Sequence, residues 1–458
     1  MVTITASHTV LPNQPTPQCR LWLSDMDQVV RQSHTPLLYI YKAKHDHDCI
    51  ERMKESLSKI LVHYYPIAGR LSFTENGRME IDCKAKGVVL LEAETAKTMA
   101  DFGDFSPSGS TKQLIPTIDY NHPVEEVPLL VVQLTRFNGD EGLAVGVAWH
   151  HTLSDGIGFT RFIYSWAKIA RGDKLEPHEL PFLDRTLLKF SQPPSAPRFE
   201  HKELKPLPLN LGSSDCSVER NKKVTSELLI LTPLQVEKLK KEANGNVLEG
   251  SRPYSRYEVI GAHIWRCASK ARELDQNQPT VVRFNVENRS RMVPPLPPSY
   301  FGNALTQTAA TGYVGEITSK PLSHVAQKIR EAVEVVNDEY IRSQIDVIRC
   351  QKHLDDARAL FLGVELEGAA PSGVNPNFHF TSWMSMSLYE ADFGKGKPLY
   401  FGLGYVSPND RAIILLSPDG DGSLIVLMFF QTVHIQLFKD FFYADISTCD
   451  GITRPSRL

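Results

Sequence analysis

Cysteine is scarce, and what there is does not pair. Seven cysteines (Cys19, Cys49, Cys83, Cys216, Cys267, Cys350 and Cys449) are scattered through 458 residues without a Cys-x-x-Cys motif. That excludes a zinc-ribbon pattern and fits reduced thiols rather than a disulfide framework. An excess of one charge is also missing. The net charge is −3, so no global basic field can hold nucleic acid or an anionic membrane, and a small anionic ligand needs a local cationic pocket. No apolar run approaches the roughly 18 residues of a membrane span. The opening "MVTITASHTVLPNQPTP" lacks the basic start and apolar stretch of a secretory signal. These absences point to a cytoplasmic protein without membrane or nucleic-acid partners. The C-terminal Ser-Arg-Leu is a conservative variant of the peroxisomal Ser-Lys-Leu address, which makes the peroxisome the alternative.

Several catalytic signatures are absent as well. There is no P-loop and no Gly-x-Ser-x-Gly elbow, which removes nucleotide hydrolysis and the common hydrolase template. "DFG" at 392–394 stands without a His-Arg-Asp loop or a Gly-rich loop, so it is no kinase motif. "HDHDC" (45–49) resembles a metal cluster, but it precedes a helix, where carboxylates are ordinary. No metal is expected.

What is present is a mixed α/β pattern, too long for one core and suggesting two domains of roughly 200 residues. "TPLLYIYKA" (35–43), "GRMEIDC" (77–83), "VVLLEAE" (88–94) and "PLLVVQLTRF" (128–137) read as strands. "CIERMKESLSKILVHYY" (49–65) reads as an amphipathic helix with Ile50, Met53, Leu57, Ile60 and Leu61 on one face. Residues 190–222 are Pro-rich and polar, a linker between an N-terminal domain (1–189) and a C-terminal domain (223–458). The second half predicts helices over 257–274 and 322–345 and a strand over 423–431.

One stretch carries candidate chemistry. "GLAVGVAW" (142–149) is a continuous apolar run of the kind that forms a strand buried on both faces. Phe159, Phe162, Ile163, Trp166, Ile169 and Ala170 then recur at helical spacing. "HHTLSDG" lies between them, so His151 sits where a buried strand ends and a helix is about to begin, a place from which a side chain can face a cleft. Histidine is the natural base near neutral pH, and Asp155 can support its surroundings. A polar turn that happens to contain histidine is the competing reading, and His-x-x-x-Asp alone does not separate the two.

Three further stretches separate them. "HHTLSDG", "NRSRMVPPLPPSYFGN" (288–303), "TSW" (381–383) and "YEADFGKG" (389–396), in this order and at these separations, resemble the plant BAHD acyl-CoA-dependent acyltransferases. The likeness covers essentially the whole chain, and "LPFLDR" (180–185) brings it nearest to the spermidine hydroxycinnamoyl transferases. It implies two similar chloramphenicol-acetyltransferase-like α/β domains with mixed sheets, joined by a long crossover and enclosing a solvent channel. CoA would enter from one face and the acceptor from the other. It implies acyl-CoA as co-substrate, no permanently bound cofactor, and a monomer.

Carried over residue by residue, the resemblance makes His151 the general base. It would take a proton from the acceptor's amine or hydroxyl as that atom attacks the thioester carbonyl, with no acyl-enzyme. Asp155 would point away from the channel and pair with Arg289 or Arg291. Thr381 and Trp383 would line the channel near the reacting carbonyl. Asp392 and Gly394 belong to a structural motif whose usual tryptophan is Lys395 here, and the usual aspartate before "RSR" is Glu287. Ser255 and Arg256 sit where the family approaches the CoA phosphates. Thr35, Leu37 and Tyr39 fall on the acceptor side. Transferases for shikimate carry an arginine shortly before "TSW", and the matching position here is Glu367. Arg-to-Glu reverses the preference from anion to cation, and Leu37 removes a polar partner. Both changes favour spermidine N-acylation, or O-acylation of a basic tropane-type alkaloid alcohol with benzoyl- or cinnamoyl-CoA. Shikimate or quinate transfer and a non-catalytic acyl-CoA binder are the other readings.

Overall fold

Apolar residues recurring every three or four positions make a helix that can bury one face. The helix α2 (Cys49–His63) shows it: Ile50, Met53, Leu57, Ile60 and Leu61 are all buried. The computed structural model describes residues 1–42, 48–140, 142–190, 193–245, 250–363, 370–444 and 446. "HDHDC" up to residue 47, Glu367 and the C-terminal Ser-Arg-Leu lie outside the described residues.

The described residues include fifteen strands. The first half supplies β1 (Val2–Val10), β2 (Arg20–Trp22), β3 (His34–Lys42), β4 (Arg70–Phe73), β5 (Met79–Asp82), β6 (Val88–Thr95), β7 (Leu130–Arg136) and β8 (Gly142–His150). The second supplies β9 (Val224–Leu231), β10 (Pro279–Glu287), β11 (Leu305–Tyr313), β12 (Phe378–Ser382), β13 (Tyr400–Leu403), β14 (Arg411–Leu416) and β15 (Leu424–Gln431). They form two six-stranded sheets, β1-β6-β7-β8-β3-β13 and β11-β10-β12-β14-β15-β9, and a small sheet β2-β5-β4. Both large sheets are mixed: β6 and β7 run parallel in one, and β10, β12 and β14 in the other. The α/β class with mixed sheets is the one expected.

The chain is more interwoven than two consecutive domains. Strand β13 belongs by sequence to the C-terminal half, yet it pairs with β3 at the edge of the first sheet, Leu403 opposite Leu37. Phe401 and Leu403 share a core with Tyr39, Tyr41 and Trp166. The division at 190–222 therefore does not separate the sheets cleanly. Nor is that segment a loose tether: Leu207 bridges to Ala370, and buried His201 and Glu203 hydrogen-bond Ser343 and Tyr340. The helix expected over 322–345 is two helices, Leu322–Glu334 and Asp338–Arg349. Asn337 breaks the run, its side chain accepting from the Tyr340 amide as the cap of the second helix.

The short helix α1 (Asp25–Val29) is capped by Ser24, and its Met26 and Val29 pack into the core of the second sheet. The helix α3 (Gly156–Ala170) packs against α2. Strand β8 is buried along its whole length, as its unbroken apolar run requires.

Candidate active site

His151 begins the turn between β8 and α3. Its backbone amide donates to the Ser33 carbonyl, 3.3 Å away, and so carries the register of the sheet one residue past the strand end. Its carbonyl accepts from Asn303 Nδ2 at 3.0 Å. The next two carbonyls, of Thr152 and Leu153, accept from the Arg185 guanidinium at 3.2 and 2.6 Å. Asp27 ties these clamps together: it accepts from Asn303 at 2.9 Å and pairs with Arg185 at 3.1 Å, with both side chains of that pair fully buried. The turn that presents His151 is thus held on three successive carbonyls.

Asp155 does not touch the imidazole. It caps α3, its Oδ1 accepting from the Gly158 amide at 3.1 Å. Arg289 grips the same carboxylate with both terminal nitrogens, at 2.8 and 3.0 Å, and the Ala304 amide adds a bond of 3.0 Å. Two parallel charge-assisted bonds of this kind fix orientation as well as adding energy. Burial opposes the Arg289 cation, but Asp155 and Glu287 hold its pKa above the usual arginine value. Glu287, with its extra methylene, still reaches Arg289 at 2.9 Å. Of the two candidate arginines it is Arg289 that pairs. Arg291 binds the carbonyls of Val333 and Val336 instead.

His151, Asp155, Thr35, Leu37, Thr381 and Trp383 all line one cavity of about 340 Å³, whose walls come from both large sheets. Burial lowers the His151 pKa below the ordinary imidazole value; its own backbone, Asp155 and Asn303 partly raise it, and Arg31 lowers it. Its Nδ1 is buried without a hydrogen-bond partner. The lowered pKa keeps the imidazole neutral at neutral pH, and the residue lines the cavity, the condition a general base needs. The adjacent His150 is unlike it. Burial, then His34, drives its pKa well down, and it packs edge-on against His34 at 4.9 Å beside a separate, smaller cavity.

On the facing sheet, Thr381 pairs in parallel register with Ile413, and the Trp383 amide is held by the Ile414 carbonyl at 2.8 Å. The Trp383 ring leans on Phe401 of β13, with centroids 5.7 Å apart. The crossing strand thus helps to shape the cavity wall.

The family model described as "Transferase family" matches residues 1–445. The chain belongs to the BAHD acyltransferase family. It is 42% identical to the hydroxycinnamoyl-CoA:piscidic acid hydroxycinnamoyltransferase of Actaea racemosa, covering 97% of this chain and 100% of that one. To the shikimate O-hydroxycinnamoyltransferase of Nicotiana tabacum it is 38% identical, covering 96% and 99%. The fold is similar to that of vinorine synthase, with a TM-score of 0.73 and 22% identity over 98% of this chain and 99% of that one. This BAHD protein is accordingly an acyltransferase with acyl-CoA as co-substrate.

Other expected site residues fall elsewhere. Tyr39 is a correction. It stands on the same strand face as Leu37 but one pleat deeper, fully buried against Phe401 at 4.5 Å, and does not line the cavity. Ser255 is occupied as the cap of the helix Arg256–Ala271, accepting from the Glu258 amide, and neither it nor exposed Arg256 lines the cavity. Asp392 accepts from the amides of Gly394, Lys395 and Gly396 at 2.7–2.9 Å, folding its loop on itself. Gly394 and Gly396 both have φ of +85°, which favours glycine. Phe393 anchors that loop on Trp166, 4.8 Å away, so the substitution at Lys395 sits on a structural loop.

Sequence reasoning overlooked Asp27, Arg185 and Asn303, although "LPFLDR" and "NRSRMVPPLPPSYFGN" contain the last two. It also overlooked Arg31 and Arg411, which line the cavity. Among the described residues no group of three His, Cys, Asp or Glu side chains is placed to hold a metal, and no helix is long and apolar enough to cross a membrane.

Proposed function

We propose that this chain transfers an aromatic acyl group, hydroxycinnamoyl or benzoyl, from CoA to a hydroxyl or amine of a small acceptor, with His151 as general base. The observation that carries the reading is an imidazole kept neutral by burial at a cavity wall, its backbone clamped on both sides. The acceptor oxygen or nitrogen forms a bond to the thioester carbonyl carbon and gives its proton to His151. The tetrahedral species then collapses, the carbon–sulfur bond breaks, and the CoA thiolate takes the proton back. Thr381 and Trp383, on the opposite wall, serve the reacting carbonyl, a place where a donor stabilises developing oxyanion charge. Among the described residues the His151 ring bonds no serine or cysteine, which supports direct attack over an acyl-enzyme. Asp155 acts through the turn and not on the substrate.

The relatives named above take piscidic acid and shikimate. A cationic acceptor, spermidine or a basic alkaloid alcohol, is the second reading, favoured by Glu367 in the sequence and by Leu37 on the wall. We take the chain to work as a monomer, since one chain supplies both walls of the cavity. We also place it in the cytosol, with the peroxisome as the alternative.

The test is thiol release by the purified protein with coumaroyl-CoA and benzoyl-CoA, each against shikimate, spermidine and tropine, with products identified by mass. Acceptor-dependent release of CoA is expected. Release no faster than the acceptor-free background would turn the reading into that of a non-catalytic acyl-CoA binder.

A further inference from the structure

Two arginines on the cavity wall have no acidic partner among the described residues. Arg31 follows α1, and Arg411 opens β14; neither forms an ion pair among the described residues. Arg31 Nη1 donates to the Tyr405 hydroxyl at 3.3 Å, and Tyr405 lines the same wall. Arg411 Nε is buried without a partner. Burial lowers the Arg411 pKa to about 10; Tyr405 raises it and Arg31 lowers it, so these side chains lie within Coulombic reach of one another. His379, beside Arg411 in register, offers no compensation. Burial, then Arg411 and Arg283, push its pKa down to about 3.

The described acids that line this cavity are already used. Asp155 and Glu287 pair with Arg289, and Asp410 pairs with Arg272 at 2.7 Å. Among the described residues, the uncompensated charge on the wall is therefore positive. Arg411 is half-buried with its Nε out of reach of solvent, and Arg31 beside it is exposed. A cation partly withdrawn from water without a counter-anion is unfavourable, and an anionic ligand group relieves it.

We infer that Arg411, Arg31 and Tyr405 form a binding subsite for a carboxylate on the acceptor, so that the preferred acceptors are small hydroxy or amino acids rather than amines. The inference rests on the acyl-transfer reading and narrows its substrate class. The anion is assigned to the acceptor and not to CoA for a reason of reach. Arg411 is about 8 Å from Thr381 across one strand gap and two residues, and Arg31 is near enough to His151 to shift it. A CoA diphosphate is held off from the thioester by the whole pantetheine arm.

The experiment compares acids with their methyl esters. With coumaroyl-CoA, kcat/KM is measured for shikimate and methyl shikimate, and for piscidic acid and its dimethyl ester. Wild type, Arg411→Leu and Arg411→Lys are compared, with melting temperatures as the folding control. Calorimetric binding of the same four compounds without acyl-CoA gives the acid-to-ester ratio independently of turnover. A charge-assisted bond predicts that wild type favours at least one acid over its ester by about tenfold or more. Arg411→Leu should collapse that ratio, and Arg411→Lys should keep part of it. No preference for either acid, in binding or in turnover, overturns the subsite. So does an unchanged ratio in Arg411→Leu with a raised KM for coumaroyl-CoA, which would assign the anion to a CoA phosphate. A preference for an acid in binding with no thiol release at all would sink the acyl-transfer reading and leave the subsite standing.

Discussion

At neutral pH His151 stands unprotonated, because burial and the nearby Arg31 both disfavour its cation. A base whose conjugate acid is disfavoured stays competent further into acid. The acid limb of kcat/KM should therefore have its midpoint below the ordinary histidine value of about 6.5. Arg31→Met removes a repelling charge, which stabilises the imidazolium and raises its pKa, so the limb should move to higher pH. A pH profile of the two proteins checks the sign; a limb that stays put or moves to lower pH would contradict it. At this scale the site was half legible. The place of His151 could be read, because an apolar run followed by a helical period marks a strand end. The choice of Arg289 over Arg291 could not, since two arginines one residue apart differ only in which way the turn points them. Arg411 was invisible for a similar reason: a lone arginine at a strand start says nothing until its neighbours in space are known.

Asp155 makes the β8–α3 connection more than a turn. One carboxylate caps the helix, receives both arms of Arg289 and accepts from the Ala304 amide, joining α3 to the loop that follows β10. Removing it leaves Arg289, 5% exposed, without its buried partner. Asp155→Ala should lower stability by about 3–5 kcal/mol and lower turnover through a displaced turn, whereas the imidazole itself is untouched. Urea unfolding measures the first. A loss below about 1 kcal/mol, the scale of an exposed pair, would mean that the pair does not hold the two elements together. Elements with strong periodicity, such as α2 and β8, were readable to within a residue or two. The break at Asn337 was not, because Val335 and Val336 continue the apolar pattern and the cap that stops it is a single side chain.

Seen whole, the protein depends on a crossing that no local pattern announces. β13 is four residues, "YFGL", too short for an alternation to register, and its partner β3 lies far away in sequence. Its presence at the edge of the first sheet means that residues 1–222 alone leave β3 unpaired on one side and its core without Phe401 and Leu403. An open, apolar strand edge invites association. That fragment should be insoluble when expressed alone and be recovered when residues 223–458 are produced with it. A soluble, monomeric 1–222 fragment would show that the crossing is dispensable. The cavity follows from the same topology, since His151 stands on one sheet and Thr381 and Trp383 on the other.

The central claim is that His151 takes the proton as the acceptor attacks the thioester. The most direct measurement is the steady-state kcat for coumaroyl transfer by wild type and His151→Ala, followed by thiol release with the best acceptor. General-base catalysis predicts a fall of about 10²–10⁴-fold in kcat with the variant still folded. Full turnover by His151→Ala would contradict the account.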